Sequence, residues 1–171
     1  IISKYNDTDK DSRHSYTDTY DELFTPFRES ATDVLEIGVN QGDSIRLWRD
    51  YFTQATIHGA DHKLRDKLAL LENDPRVQLH IGPAYEDSFL ETFKGKSFDI
   101  IIDDGSHKAR HMKYVVSNYF QFLKPGGVMV IEDIKKGSQW KPKKKSNTFL
   151  VDRLPEGVTG RFIKTSPKYN S

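Results

Sequence analysis

Two acidic segments, each directly after an apolar run, carry the side chains most able to do chemistry. Asp103-Asp104-Gly105-Ser106-His107 follows the apolar run 98–102, and Glu132-Asp133 follows the run 127–131. Such runs predict buried strands, and open parallel sheets bind ligands at the carboxyl ends of their strands. We therefore expect these carboxylates and the histidine at one sheet edge, where they suit a hard cation with a titratable base beside it.

A third predicted strand ends in a glycine-rich turn. The segment 34–42, VLEIGVNQG, places Gly38 and Gly42 after the strand and before a helix. Glycines allow the backbone to approach a bound molecule closely, although this spacing is not the GxGxxG dinucleotide fingerprint. The three strand ends together indicate a metal-assisted transferase that uses a nucleotide-like cofactor.

The elements that must position these groups alternate between strands and helices. Pro26 lies inside the first predicted helix, which we expect it to kink or split. The alternation predicts an α/β fold with a doubly wound, mostly parallel sheet and an incomplete C-terminal strand. Strands are predicted at 34–39, 57–61, 77–81, 98–103, 128–131 and 160–164, and helices at 17–31, 44–52, 64–72, 88–93 and 112–123, the last ended by a KPGG turn at 124–127.

Composition narrows the classes of protein to consider. The chain has 171 residues, which suits one domain, and its net charge of +1 gives no overall field that attracts nucleic acid or membrane. It has no run of about 18 apolar residues, so no transmembrane helix is expected. With no cysteine, disulfides and thiolate metal sites are excluded, and a reducing, cytoplasmic location is expected. Because the first residue is Ile, we expect a processed or excised piece of a longer protein.

The motifs resemble those of a known family. The turn from Glu36 to Gly42 resembles the first motif of class I S-adenosylmethionine-dependent methyltransferases, and a turn like LKPGG at 123–127 is frequent in them. The ordered set is similar to that of bacterial sugar O-methyltransferases, which include macrolide-tailoring enzymes that need a divalent metal. The matching segments are KYNDTDK at 4–10, HSY at 14–16, LEIGV at 35–39, LWRDYF at 47–52, IDDGSH at 102–107, PGG at 125–127 and IED at 131–133.

The resemblance implies a fold and a cofactor. It implies a single Rossmann-like domain over 1–171, with an N-terminal cap segment and helix at 1–31 and a core at 32–171. Within the cofactor site, Glu36 would suit the ammonium group and Asp61 the ribose hydroxyls. Tyr16 either closes over the cofactor with the N-terminal segment or packs on the first helix. The residues implied to bind S-adenosyl-L-methionine are Glu36, Gly38, Asn40, Gly42, Asp61, Asp103 and Tyr16. For Asp103, the alternative role is to orient the loop.

The same resemblance implies a metal and a base. Mg²⁺ or a similar ion would be held by Asp104, Glu132 and Asp133, and would bind a hydroxyl of a sugar or another vicinal diol. His107 would take the hydroxyl proton before the oxygen attacks the methyl carbon. Each residue also has an ordinary interpretation, since Asp104 can cap a turn and the other three can lie in solvent.

One segment departs from the family pattern, and the role of one histidine is left undecided. Family members carry an acidic residue and Gln after the third strand, whereas this chain has GPAYED at 82–87. Adenine recognition would therefore use backbone groups, Tyr85 or Glu86. His111 lies one helical turn beyond His107 and either reaches the same pocket or lies on the helix surface.

Two other functions compete with a sugar O-methyltransferase. Six lysines between Lys135 and Lys145, with Trp140 among them, could bind RNA phosphates and stack a base, as an RNA methyltransferase requires. A solvated lysine loop is the ordinary interpretation of such a run. A catalytically inactive, cofactor-binding interaction module is the third hypothesis.

Overall fold

The computed structural model describes residues 17–133, in which strands and helices alternate. Within this range, no helix combines the length and apolar composition needed to span a bilayer. The elements in chain order are α1 Thr17–Phe24, a 3₁₀ turn Thr25–Phe27, β1 Asp33–Ile37, α2 Asp43–Tyr51, β2 Thr56–Asp61, α3 Asp66–Ala69, β3 Val77–Ile81, α4 Asp87–Leu90, a 3₁₀ turn Glu91–Phe93, β4 Phe98–Asp103, α5 Ala109–Asn118, a 3₁₀ turn Phe120–Phe122 and β5 Leu123–Ile131.

The five described strands form one parallel sheet in the order β3-β2-β1-β4-β5. Strand order reverses between β1 and β4, and in open parallel sheets such a switch point at the carboxyl edge is where ligands bind. This topology confirms the doubly wound, Rossmann-like fold predicted from the sequence. The predicted strand at 160–164 lies outside the described residues.

Both faces of the sheet are covered, which explains the near-continuous apolar strands. On one face Val34, Ile57 and Ile100 belong to a core shared with the aromatic side chains of α1 and α2. On the other face Leu35 and Ile101 belong to a core that includes residues of α4 and α5. The sheet is therefore a rigid platform on which the loops at its carboxyl edge are carried.

Several predicted boundaries are corrected. The helix predicted at 17–31 ends at Phe24 and gives way to a 3₁₀ turn that contains Pro26, as expected for proline. The helix predicted at 64–72 is only Asp66–Ala69. The KPGG segment is not a turn before the fifth strand but an irregularity inside β5, because Leu123 already pairs with Phe98 of β4.

Backbone hydrogen bonds continue the sheet one residue past the strands. The N–H of Gly38 donates to Ala60 O at 2.8 Å, that of Asp104 to Ile37 O at 2.9 Å, and that of Glu132 to Asp103 O at 2.9 Å. Gly38 has φ +89°, and a Cβ added there would overlap backbone atoms of Asp104 and Gly105. The turn after β1 and the loop after β4 therefore touch, main chain against main chain.

A buried histidine, His58, and a half-buried one, His80, join β2 to β3 on the face packed by α4. The rings of His58 and His80 stack at 5.3 Å, with His58 Nδ1 3.0 Å from His80 Nε2. Burial lowers the pKa of His58, although Asp33 beside it opposes the shift. Burial, the neighbouring His58 and Lys96 lower the pKa of His80 to about 4. Both imidazoles are therefore neutral in the folded protein near pH 7.

Because of these two histidines, we expect the folded protein to lose stability at acidic pH. Below about pH 6.5 the unfolded chain binds protons that the folded pair does not, so the free energy of unfolding falls as the pH drops from about 6.5 to about 4. After allowance for its partial exposure, His80 should account for roughly 1–2 kcal/mol of this loss. Urea unfolding at pH 7 and pH 5 should show a smaller drop for His80→Gln than for the wild type. The exposed His62→Gln serves as control and should keep the full drop; an equal drop in all three proteins would contradict the assignment.

Gly38 supplies a second prediction about stability. Gly38→Ala must both adopt a left-handed backbone and push the loop after β4 away, so we expect a loss of at least about 2 kcal/mol in urea unfolding. Gly126→Ala is the matched control, because Gly126 has φ +79° but nothing within 4 Å of an added Cβ. It should lose only about 1 kcal/mol, the cost of the backbone conformation. Equal losses in the two variants would show that the loop contact is unimportant.

Candidate active site

A cavity of about 890 Å³ lies at the carboxyl edge of the sheet, beside the switch between β1 and β4. This volume is in the range of sites that enclose small organic ligands. The loops after β1, β2, β3 and β4 and the start of α5 form its wall. Of the residues that the sequence analysis named for the site, those that line the cavity are Gly38, Asn40, Asp61, Tyr85, Glu86, Asp104, His107 and His111.

The glycine turn reaches the cavity because two glycines and an asparagine adopt left-handed backbone conformations. Gly42, with φ +88°, directly precedes α2, and Asn40 has φ +47°. Asn40 donates its N–H to Asp61 Oδ2 at 3.0 Å, which joins the turn after β1 to the end of β2. Residues 38–41 of this turn line the cavity, whereas Gly42 does not.

Asp61 is buried at the end of β2 and is surrounded by donors. Its Oδ1 accepts from the Lys63 N–H at 3.1 Å and lies 3.3 Å from the Arg65 guanidinium and 2.9 Å from His62 Nδ1. Arg65 and His62 also line the cavity but were not predicted from the sequence. The only available signal was that an arginine and a histidine stand within four residues of a strand-end aspartate.

Glu36 is fully buried in β1 and does not line the cavity. Its Oε2 accepts a hydrogen bond from Ser44 Oγ at 2.6 Å, which links it to the first turn of α2. A carboxylate oxygen of Glu36 lies within 4.8 Å of oxygens of Asp104 and Glu132. The structure therefore places the residue predicted for the cofactor ammonium beside the predicted metal ligands. The ammonium contact stays a prediction.

Asp104 stands at the centre of two groups of possible metal ligands. One group joins it to Glu36 and Glu132, and the other joins it to His107 and Asp133, with ligand atoms within 4.8 Å of one another in each. Glu132 is buried and also accepts a hydrogen bond from the Tyr20 hydroxyl of α1. The predicted ligand set of Asp104, Glu132 and Asp133 is thus shared between the two groups and stays a prediction.

The donor chemistry of these groups fits a hard divalent cation. Neighbouring carboxylates repel one another, and a bound cation with a preference for oxygen relieves that repulsion. Asp133 Oδ2 lies 3.7 Å from His107 Nε2. His107 Nδ1 is buried and has no hydrogen-bond partner among residues 17–133. The imidazole therefore lies beside the carboxylates.

Asp103 faces the loop rather than the cavity. Its Oδ1 accepts from the Tyr85 hydroxyl at 3.1 Å and from the Gly105 N–H at 3.4 Å. Burial, with a further contribution from Asp104, raises the pKa of Asp103 to about 7, although the two donors oppose the shift. Of the two roles predicted for Asp103, these contacts favour loop orientation over cofactor binding.

His111 reaches the pocket instead of lying on the outer surface of α5. It lines the cavity, and its Nδ1 lies 2.6 Å from Ser106 Oγ. Burial, Arg110 and Lys108 lower its pKa. His14, Tyr16 and the 135–145 lysine run lie outside the described residues, so their predicted roles stay predictions.

Comparison with known proteins places the chain in a family. A family profile described as a methyltransferase domain matches residues 35–134. The 8-demethyl-8-alpha-L-rhamnosyl tetracenomycin-C 2'-O-methyltransferase of Streptomyces olivaceus is 35% identical over 137 residues, covering 75% of this chain and 35% of that protein. The mycinamicin VI 2''-O-methyltransferase of Micromonospora griseorubida is 33% identical over 171 residues, covering 90% of this chain and 42% of that protein.

Solved structures agree with this placement. The MycE methyltransferase of the mycinamycin biosynthetic pathway, in complex with Mg, SAH and mycinamycin VI, superposes with a TM-score of 0.68 at 31% identity. The match covers 77% of this chain and 35% of that one. The chain therefore spans well under half the length of these relatives. Since the profile covers more than half of the 171 residues, the resemblance predicted from the motifs is confirmed, and the chain belongs to the methyltransferase domain family of class I, S-adenosylmethionine-dependent proteins.

Proposed function

We propose that this chain is an S-adenosyl-L-methionine-dependent O-methyltransferase, assisted by a divalent cation, that methylates a hydroxyl of a sugar or similar diol-bearing small molecule. The observation that carries the proposal is the pair of ligand groups centred on Asp104, with His107 in one of them, at the switch-point cavity. The sugar O-methyltransferases among the relatives and the Mg and SAH bound to MycE support the same chemistry.

The cofactor would bind along the glycine turn. When bound, S-adenosyl-L-methionine supplies a methyl group on a positively charged sulfur. The main chain at Gly38 lines the cavity and would lie along the cofactor, and Asp61 at the end of β2 would contact the ribose hydroxyls. Glu36 contributes negative charge, which serves either the cofactor ammonium or the cation.

The cation would be held by Asp104, Glu132 and Asp133, with Glu36 in reach of the same position. When bound, a Mg²⁺-like ion supplies a Lewis acid that lowers the pKa of a coordinated hydroxyl. His107, whose Nε2 lies 3.7 Å from Asp133 Oδ2, would take the hydroxyl proton. Holding acceptor and methyl donor together in the cavity lowers the barrier further.

The proposal includes the arrangement of the chain. Residues 32–171 would form the core of one methyltransferase domain, with 1–31 as cap segment and helix. The acceptor is a small molecule in this proposal, and the predicted cytoplasmic location is retained. RNA methylation through the 135–145 lysine run and an inactive binding module are outcomes of the test below.

Asp104→Asn tests the metal site directly. We expect the wild type to be stabilised by S-adenosylhomocysteine, by about 2.7 kcal/mol at 100 times its dissociation constant, and more so with Mg²⁺. Asp104→Asn should keep the effect of S-adenosylhomocysteine and lose the effect of Mg²⁺, together with methylation of a panel of simple rhamnosides. The exposed Asp50→Asn is the control and should behave as wild type.

The outcomes separate the three hypotheses. Stabilisation by S-adenosylhomocysteine that neither Mg²⁺ nor EDTA changes would contradict the metal site and favour an RNA acceptor. Absence of any stabilisation would favour the inactive module. Full rhamnoside methylation by Asp104→Asn would remove Asp104 from the ligand set.

His107→Ala tests the base. Loss of a general base should lower the methylation rate about 10²–10⁴-fold, with partial recovery when imidazole is added. Mn²⁺ affinity, followed by electron paramagnetic resonance, should be retained. A large loss of Mn²⁺ affinity would instead show that His107 is a metal ligand, and an unchanged rate would show that it is neither.

A further inference from the structure

The hydroxyl of Tyr85 contacts the loop after β4 at two points. Tyr85 lies between β3 and α4, and its hydroxyl donates to Asp103 Oδ1 at 3.1 Å. The same hydroxyl accepts a hydrogen bond from the Ser106 N–H at 3.0 Å. One oxygen therefore bridges the end of β4 and the far side of the turn, with Asp104 and Gly105 between the two contacts.

Gly105 passes directly against this hydroxyl. A Cβ added to Gly105 would overlap the Tyr85 hydroxyl oxygen, and it would lie 3.1 Å from ring atom Cζ and 3.2 Å from Asp103 Oδ1. The Gly105 N–H also donates to Asp103 Oδ1 at 3.4 Å. The turn is closed around the end of the phenol, so its shape depends on that group.

The ring of Tyr85 is fixed from the side of α5. His111 stacks on it with ring centroids 4.1 Å apart and an interplanar angle of 19°. His111 Nδ1 also lies 2.6 Å from Ser106 Oγ, which completes a closed set of contacts around the turn. Burial, with the charge of Asp103, raises the pKa of Tyr85 above its ordinary value, so the hydroxyl keeps its proton.

We propose that Tyr85 is a positioning residue that holds segment 104–107, and with it Asp104 and His107, in the arrangement needed for cation binding and proton transfer. The inference rests on the proposed function of that segment. Adenine contact, the role predicted for Tyr85 from the sequence, would use the ring face or edge. A variant that keeps the ring and loses the hydroxyl separates the two roles.

Tyr85→Phe is that variant. We expect faster hydrogen exchange of the 104–107 amides in the ligand-free protein, because the bridge is lost. Mn²⁺ affinity and single-turnover methylation should each fall about 10–100-fold, as is usual when a group that orients metal ligands is removed. Affinity for S-adenosylhomocysteine should be retained. The matched control Tyr114→Phe removes the hydrogen bond from Tyr114 to Asp87 Oδ1 at 2.8 Å, outside the loop, and should change none of these quantities.

Gly105→Ala perturbs the same contact from the loop side. It should reproduce the loss of Mn²⁺ affinity, because the added methyl group displaces the phenol. In the double variant Tyr85→Phe/Gly105→Ala the overlap is relieved, since the nearest remaining ring atom is Cζ at 3.1 Å. We therefore expect the double variant to bind Mn²⁺ no more weakly than Gly105→Ala alone.

Two results would overturn the proposal. One is wild-type exchange at 104–107 together with wild-type Mn²⁺ affinity in Tyr85→Phe. The other is a loss confined to S-adenosylhomocysteine affinity, which would assign the hydroxyl to the cofactor. If the wild type binds neither Mn²⁺ nor S-adenosylhomocysteine, the proposed function fails, and the exchange difference alone still decides whether Tyr85 holds the loop.

Discussion

The arrangement of the candidate site depends on one constraint, the repulsion between carboxylates at the ends of β1, β4 and β5. Glu36, Asp104 and Glu132 each offer a carboxylate oxygen within 4.8 Å of the other two, so their negative charges would repel one another when all three are ionised. Hydrogen bonds from Ser44 and Tyr20 offset part of that cost. A cation bound at the proposed site would offset the rest of that cost.

The sheet makes that concentration of charge possible. Parallel strands end at one edge, and the ladder bonds to Ile37, Ala60 and Asp103 carry the sheet one residue past those ends. Both faces are covered by apolar cores, so strand ends cannot drift apart to relieve the repulsion. The glycine turn after β1 adds a direct main-chain contact with the loop after β4, so the proposed cofactor and cation positions share one framework.

The loop after β4 then depends on contacts from other elements. Tyr85, from the loop after β3, donates to Asp103 and accepts from the Ser106 N–H, and His111 of α5 stacks on its ring. This arrangement couples the loop proposed to carry Asp104 and His107 to the wall of the cavity. The family is shown by the core 35–134, and the relatives are much longer than this chain.

Much of the fold was predictable because its signals are local. The spans of β3 and β4 were predicted with the bounds observed, since an apolar run between polar turns specifies a buried strand. Pro26 was expected to interrupt the first helix and does so, because its ring is incompatible with a helix interior. Likewise, the acidic pairs after two apolar runs were predicted to lie at one sheet edge, because parallel strands end on the same side.

Only the tertiary structure decided which residues far apart in the sequence contact one another. Tyr20 and Glu132 are 112 residues apart and Tyr85 and Asp103 are 18 apart, and no spacing rule links such pairs. Leu123 was expected on a helix, but pairing with β4 placed it in β5. The sequence by itself determined which elements form and which chemistry stands at their ends. Packing decided which side chains meet, because burial and hydrogen-bond satisfaction depend on every neighbouring element at once.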